Sequence, residues 1–137
     1  MKLILDSSVA FKTLVPETES EKAVRLLDEY RQGFHELLAP DILPVEIGHA
    51  LTRAERQGRV SPTNGFALWS ILMADCPPLV DYLSLMPRAY ALSSQSRVGV
   101  YDCLYVALGE QEQCEVVSAD LRLVNTFPGL VISLSSV

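Results

Sequence analysis

Leu3-Ile4-Leu5 is a short, wholly apolar run stopped by Asp6, the pattern of a strand buried on both faces in a parallel sheet. A helix is expected directly after it, carrying Lys12. Thr18 and Glu21 have the spacing of a capping box, and Ala23, Leu26, Leu27 and Tyr30 then recur on one helical face until Gly33 closes the segment. A strand is expected near Glu36 to Ala39. Leu43, Ile47, Ala50, Leu51 and Ala54 mark the face of a further helix ending at Gly58, and Ser61-Pro62 starts another through Leu72. Pro77-Pro78 breaks the chain before an apolar patch, Leu79 to Leu83, and a helix is predicted over Pro87 to Ser96 with Gly99 ending it. Asp102 opens a helical segment in which Leu104, Tyr105 and Leu108 share a face. Glu115 to Ser118, closed by Asp120, and Leu130 to Ile132 are the last two strand candidates. Apolar strands alternating with helices predict α/β architecture with a mostly parallel sheet covered on both faces.

Length and composition narrow this to one domain spanning 1–137, with no internal repeat or linker, and with 49% hydrophobic residues, too many for a disordered chain. The start meets an acid after three apolar residues, too few for a signal peptide or membrane span, so a soluble, cytoplasmic protein with no membrane partner is expected. Cys76, Cys103 and Cys114 are odd in number and form no CxxC pair, which signals neither a disulfide framework nor a zinc site. Eleven Lys and Arg against 17 Asp and Glu give a net charge of −6. A nucleic-acid role would have to work without a large positive field.

Four acids bear on the chemistry. Asp6 and Asp120 end strands, where open α/β sheets bind their ligands. Asp102 falls in the first turn of a helix, and Glu46 lies on the apolar face of its helix, where an ionised carboxylate is costly unless something neutralises it. Each has an ordinary explanation alone: a cap or dipole partner for Asp102, a turn stabiliser for Asp6 and Asp120, an arginine pair for Glu46. Four carboxylates converging on one sheet edge would repel one another unless some were protonated or a cation sat between them. Such a set suits Mg²⁺ or Mn²⁺, which prefer carboxylate and water oxygens and leave positions open to phosphate. The hydroxyls of Ser7, Ser8 and Ser118 lie beside these acids in the chain.

The segments LDSSV (Leu5 to Val9), APDILPVEIGHAL (Ala39 to Leu51), VYDCLYVALGE (Val100 to Glu110) and VSADLRL (Val117 to Leu123) resemble, in order and spacing, the four acidic motifs of PIN-domain proteins, with VapC-type toxins the nearest likeness. The resemblance covers nearly the whole chain. It implies a three-layer α/β/α fold and Mg²⁺- or Mn²⁺-dependent cleavage of RNA. Homodimerisation and inhibition by a cognate antitoxin protein are implied as well. The family's metal-binding, catalytic acids fall on Asp6, Glu46, Asp102 and Asp120. Ser118 stands for the hydroxyl beside the last acid, usually threonine, and Ser8 for a small polar residue near the first. Gly109 stands where alanine is more usual, a change expected to loosen that helix slightly.

Lys12, Arg53 and Arg56 are candidates for holding substrate phosphates, although arginines on a helix commonly belong to a solvated face. Phe66 and Trp69 read as core or dimer contacts rather than base-stacking platforms. His49, three residues after Glu46, reads as a helix-surface residue. A haloacid-dehalogenase-type phosphatase would need an acid at Ser8, a receiver domain a late lysine where none follows Lys22, and a serine hydrolase a GxSxG that is absent. A catalytically silent PIN-fold binding module would be expected to lack one of the acids.

Overall fold

The computed structural model describes residues 1–137. Five strands, β1 (Lys2–Leu5), β2 (Glu36–Pro40), β3 (Leu79–Val80), β4 (Glu115–Ser118) and β5 (Val131–Ser133), form one parallel sheet in the order β3-β2-β1-β4-β5. The helices are α1 (Ser7–Lys12), α2 (Ser20–Arg31), α3 (Leu43–Arg56), α4 (Pro62–Ala74), α5 (Tyr82–Ser96), α6 (Val100–Glu112) and α7 (Leu121–Thr126), with a final 3₁₀ turn at Leu134–Ser136.

From β1 the chain builds outward through β2 to β3, then returns to lay β4 and β5 on the other side. β1 and β4 are therefore neighbours, paired Leu5 to Val117, and the chain leaves their carboxyl ends in different directions. That divergence opens a crevice at the top of the sheet. Leu3, Ile4, Leu5, Val116 and Val117 are all buried, which is why these strands read as unbroken apolar runs.

The centre of the molecule is α6, where the seven consecutive residues Cys103 to Gly109 are buried. A helix enclosed all round has no polar face. Gly109 is required by this enclosure: a Cβ there would lie 2.9 Å from the Cys114 carbonyl oxygen and 3.1 Å from Val116 Cγ2. The glycine thus lets α6 approach β4, a packing role that the sequence reading did not include. No helix is long and apolar enough to cross a membrane.

Several boundaries differ from expectation for local reasons. The Thr18 capping box does not form, because Glu19 takes a left-handed conformation, φ 67°, and α2 begins at Ser20. Ser20 Oγ accepts from the Glu17 N–H, while the Thr18 carbonyl accepts from Lys12 Nζ at 2.8 Å. α5 begins five residues before Pro87, capped by Asp81, and Pro87 sits inside it. The carbonyl that Pro87 cannot serve is that of Leu83, a residue 63% exposed at the solvent-facing start of the helix. α5 ends at Ser96 with Arg97 left-handed, and Gly99 is the N-cap of α6 instead of a helix stop. The short α7 carries too few residues to show a helical period in the sequence. Phe66 is 71% exposed and so is not a core residue, although its ring stacks on Trp69, whose indole donates to the Pro44 carbonyl.

Candidate metal and nuclease site

Asp6 ends β1 and sits at the N-terminus of α1, 3% exposed. Its Oδ2 accepts from two hydroxyls, Ser8 Oγ and Ser118 Oγ, the latter at 2.8 Å. Both serines are themselves anchored: Ser8 Oγ accepts from the Ala119 N–H and Ser118 Oγ from the Asp120 N–H, each at 3.0 Å. The ends of β1 and β4 are in this way tied through one carboxylate oxygen. The other oxygen, Asp6 Oδ1, is buried and has no hydrogen-bond partner. Burial pushes the Asp6 carboxyl above its usual range, with the two hydroxyls opposing the rise and Asp120 adding repulsion.

Glu46 stands in the first turn of α3, half-buried, and no arginine pairs with it. Its partner is the phenol of Tyr105, which donates to Glu46 Oε1 at 2.6 Å from the middle of α6. Burial raises the Glu46 carboxyl; Tyr105 opposes this, the charge of Asp6 adds to it, and Ser7 opposes it too. The Tyr105 phenol, enclosed beside these charges, is pushed far above its ordinary value and remains a donor at any physiological pH.

Asp102, in the first turn of α6, is pushed up to about 6 by burial and by the charges of Asp6, Glu46 and Asp120, with Arg122 opposing. Asp120 caps α7 by accepting from the Arg122 N–H at 3.0 Å. An ordinary capping role therefore holds for Asp120, whereas Asp6 makes no capping bond with its side chain.

Asp6, Ser7, Ser8, Lys12, Asp102 and Asp120 line one open cleft of about 390 Å³, with Glu17 and Ala50 at its edge. A larger depression of about 920 Å³ runs along α2 between Ser20 and Phe34. Its lining places no comparable cluster of buried acids together, so chemistry rather than size singles out the smaller cleft. Lys12 reaches this cleft, although its ammonium is held by the Thr18 carbonyl and, at 3.4 Å, by Glu17. Arg53 and Arg56 are exposed in the last turn of α3 and do not line it, and His49 is on the exposed surface of the same helix.

Sequence reasoning missed Tyr105 as a functional neighbour, because its place on an apolar helix face reads as core. It also passed over Arg122, whose position two residues after Asp120 at a helix start was the available signal. The donors at this edge are all oxygens. No three acid, histidine or cysteine side chains are gathered closely enough to hold an ion between them as they stand.

Comparison with known proteins follows the same line. The PIN domain family model matches residues 3–126. This chain belongs to the PIN-domain family. Among relatives, ribonuclease VapC3 of Pyrobaculum aerophilum is 31% identical over 135 residues, covering 96% of this chain and 98% of that protein. The fold is shared with the crystal structure of PAE2754 from Pyrobaculum aerophilum, at a TM-score of 0.72 and 17% identity over 99% of this chain and 94% of that one. It is shared too with DNA-bound VapBC from Salmonella typhimurium, at a TM-score of 0.70 and 16% identity over 98% of each chain. In this PIN domain the four motifs thus lie on one sheet edge, three of their acids in the cleft and Glu46 just behind it.

Proposed function

We propose that this chain is a metal-dependent endoribonuclease, the toxin of a VapBC-type toxin–antitoxin pair, acting on RNA phosphodiester bonds with Mg²⁺ or Mn²⁺. The observation that carries the reading is Asp6 Oδ1, a buried carboxylate oxygen without a partner, beside three further acids whose charges repel one another. An all-oxygen donor set with uncompensated negative charge fits a hard divalent cation, and Asp6, Glu46, Asp102 and Asp120 are the residues that would hold it. When bound, such an ion supplies positive charge for orienting a water and for stabilising the leaving oxygen of an in-line displacement.

This chain's residues contribute arrangement. Ser8 and Ser118 hold Asp6 by occupying Oδ2, which leaves the buried Oδ1 without a partner. Tyr105 anchors Glu46 through one carboxylate oxygen, Oε1. The raised Asp102, pushed up by burial and by the charges of Asp6, Glu46 and Asp120, is a place where an added positive charge relieves repulsion. The kinship with ribonuclease VapC3 supports the substrate, and the shared fold with VapBC complexes supports an antitoxin partner. A silent module is less well supported, because all four acids are retained.

The test is incubation of the purified protein with a pool of cellular RNAs, with and without EDTA, followed by sequencing of cut ends. Discrete cuts that vanish with EDTA, and in Asp6→Asn with the fold intact, are expected. Full activity in Asp6→Asn would sink the proposal.

A further inference from the structure

Seven of the 11 fixed cations are matched to carboxylates: Lys2 with Glu112, Lys12 and Arg59 with Glu17, Lys22 with Glu19, Arg25 with Glu29, Arg31 with Asp28 and Asp75, and Arg88 with Glu110. Four form no ion pair, and their positions are not scattered. Arg53 and Arg56 lie at the outer end of α3, roughly 10 and 15 Å along the axis from Glu46 at 1.5 Å per residue. Arg97 and Arg122 flank the acids directly.

Arg122 follows Asp120 by two residues, its own N–H held by that carboxylate. Its guanidinium forms no ion pair with Asp120, and Nη2 donates to the Arg97 carbonyl at 3.4 Å. Arg97 holds the left-handed turn between α5 and α6, five residues before Asp102, with φ 63°. The Arg122 guanidinium thus bridges to the backbone of Arg97, linking the segments that deliver Asp102 and Asp120, and both arginines are exposed. Tyr101, the residue before Asp102 in the first turn of α6, is 63% exposed. Unpaired arginines interleaved with an exposed aromatic are what a flexible single strand needs: cations for its phosphates and a ring face for a base. An acidic protein segment would use the arginines but would gain little from the tyrosine.

We propose that Arg97, Arg122 and Tyr101 form the rim that grips the substrate RNA beside the acid cleft. This rests on the ribonuclease reading above. In a chain of net charge −6, internal pairing of the other cations leaves the positive field concentrated at a few places, and Arg97 and Arg122, outside the cleft lining itself, stand on the segments that carry its acids Asp102 and Asp120. Arg97 and Arg122 take phosphate oxygens on the strand flanking the cut, and Tyr101 stacks an adjacent base.

The test uses an end-labelled single-stranded RNA of mixed sequence, its binding followed by fluorescence anisotropy in an Asp6→Asn background with Mg²⁺, across a salt series. Each phosphate contact to a single strand contributes about 0.7 to the slope of log affinity against log salt. Arg97→Gln with Arg122→Gln should therefore flatten the slope by about 1.4, shrinking the loss of affinity across a fourfold salt increase by about sevenfold. Arg88→Gln, which removes the same charge from a pair with Glu110, should leave the slope unchanged. Tyr101→Ala should weaken binding by between about fivefold and a hundredfold with no change in slope. If the parent binds RNA and the wild type cuts it, yet the slope survives loss of both arginines, the rim is overturned while the ribonuclease reading stands. If the wild type neither binds nor cuts any RNA, both fall.

Discussion

Removing a carboxylate from the acid cluster should stabilise the metal-free protein, and Asp102 is the place to test it. Its pKa rises from 3.8 to about 6, because burial and three neighbouring carboxylates all disfavour the charged form. In the unfolded chain the group ionises near its ordinary value, so between about pH 4 and 6 the folded state holds the proton more tightly. The folded state is therefore favoured below this window, and that advantage is lost as pH rises through the folded pKa. A shift of about two units corresponds to about 3 kcal/mol as an upper bound. Asp102 keeps substantial contact with water, and screening reduces the expected cost to ~1–2 kcal/mol. Asp102→Asn, neutral and nearly isosteric, should therefore be more stable than wild type by ~1–2 kcal/mol at about pH 8 in EDTA, a rise of several degrees in Tm. At about pH 4 the two should converge, since the wild-type group is then protonated. Urea unfolding at both pH values measures this directly. With saturating Mg²⁺ or Mn²⁺ the order should reverse, because the wild type gains about 2.7 kcal/mol at a hundredfold excess over Kd and the variant gains less. An Asp102→Asn protein less stable than wild type at alkaline pH without metal, or a difference that ignores pH, would refute the account of mutual repulsion.

Three further substitutions probe how the site is held. Tyr105→Phe removes the donor to a half-buried Glu46 carboxylate and should cost about 1.5–3 kcal/mol, with weaker Mn²⁺ binding by calorimetric titration; unchanged metal affinity would show that Glu46 needs no anchor. Ser118→Ala takes away both the hydroxyl held by Asp6 and the acceptor of the Asp120 N–H, so denaturant unfolding should show a loss of about 1–3 kcal/mol. Gly109→Ala gains up to about 1 kcal/mol of helix propensity, but its methyl meets a backbone carbonyl, and overpacking of about 1–3 kcal/mol should prevail. A higher Tm for that variant would mean α6 can move away from β4.

The parts of the fold that the sequence shows are those in which a residue's burial follows from its own neighbours. Leu3 to Leu5 and Val116 to Val117 are enclosed on both faces, so every position is apolar and the acid that ends each run marks the carboxyl edge. α3 and α4 are equally plain, with Ser61 capping through its side chain as its type suggests. Where the chain departs from such rules, backbone conformation rather than residue type decides. Thr18 loses its cap because Glu19 turns left-handed and α2 starts one residue later, and α5 runs through Pro87 from a start capped by Asp81.

The site divides along the same line. Its acids were legible because a charge at a strand end or on an apolar face is locally anomalous. Lys12 and the serines were legible as neighbours of those acids. The contacts that govern how the acids behave were not: Tyr105 reaches Glu46 across 59 positions, and the legible Ser118 turns its hydroxyl to Asp6, 112 positions away. A phenol among leucines looks like packing until its partner is known. Free arginines are harder still, since Arg97 and Arg122 differ from Arg88 or Arg31 in forming no ion pair, which the sequence does not reveal. Net charge counts these groups alike, yet a cation already matched to an acid contributes little field to a passing phosphate. Charge bears on partner choice here only after pairing is subtracted, and that subtraction requires the fold.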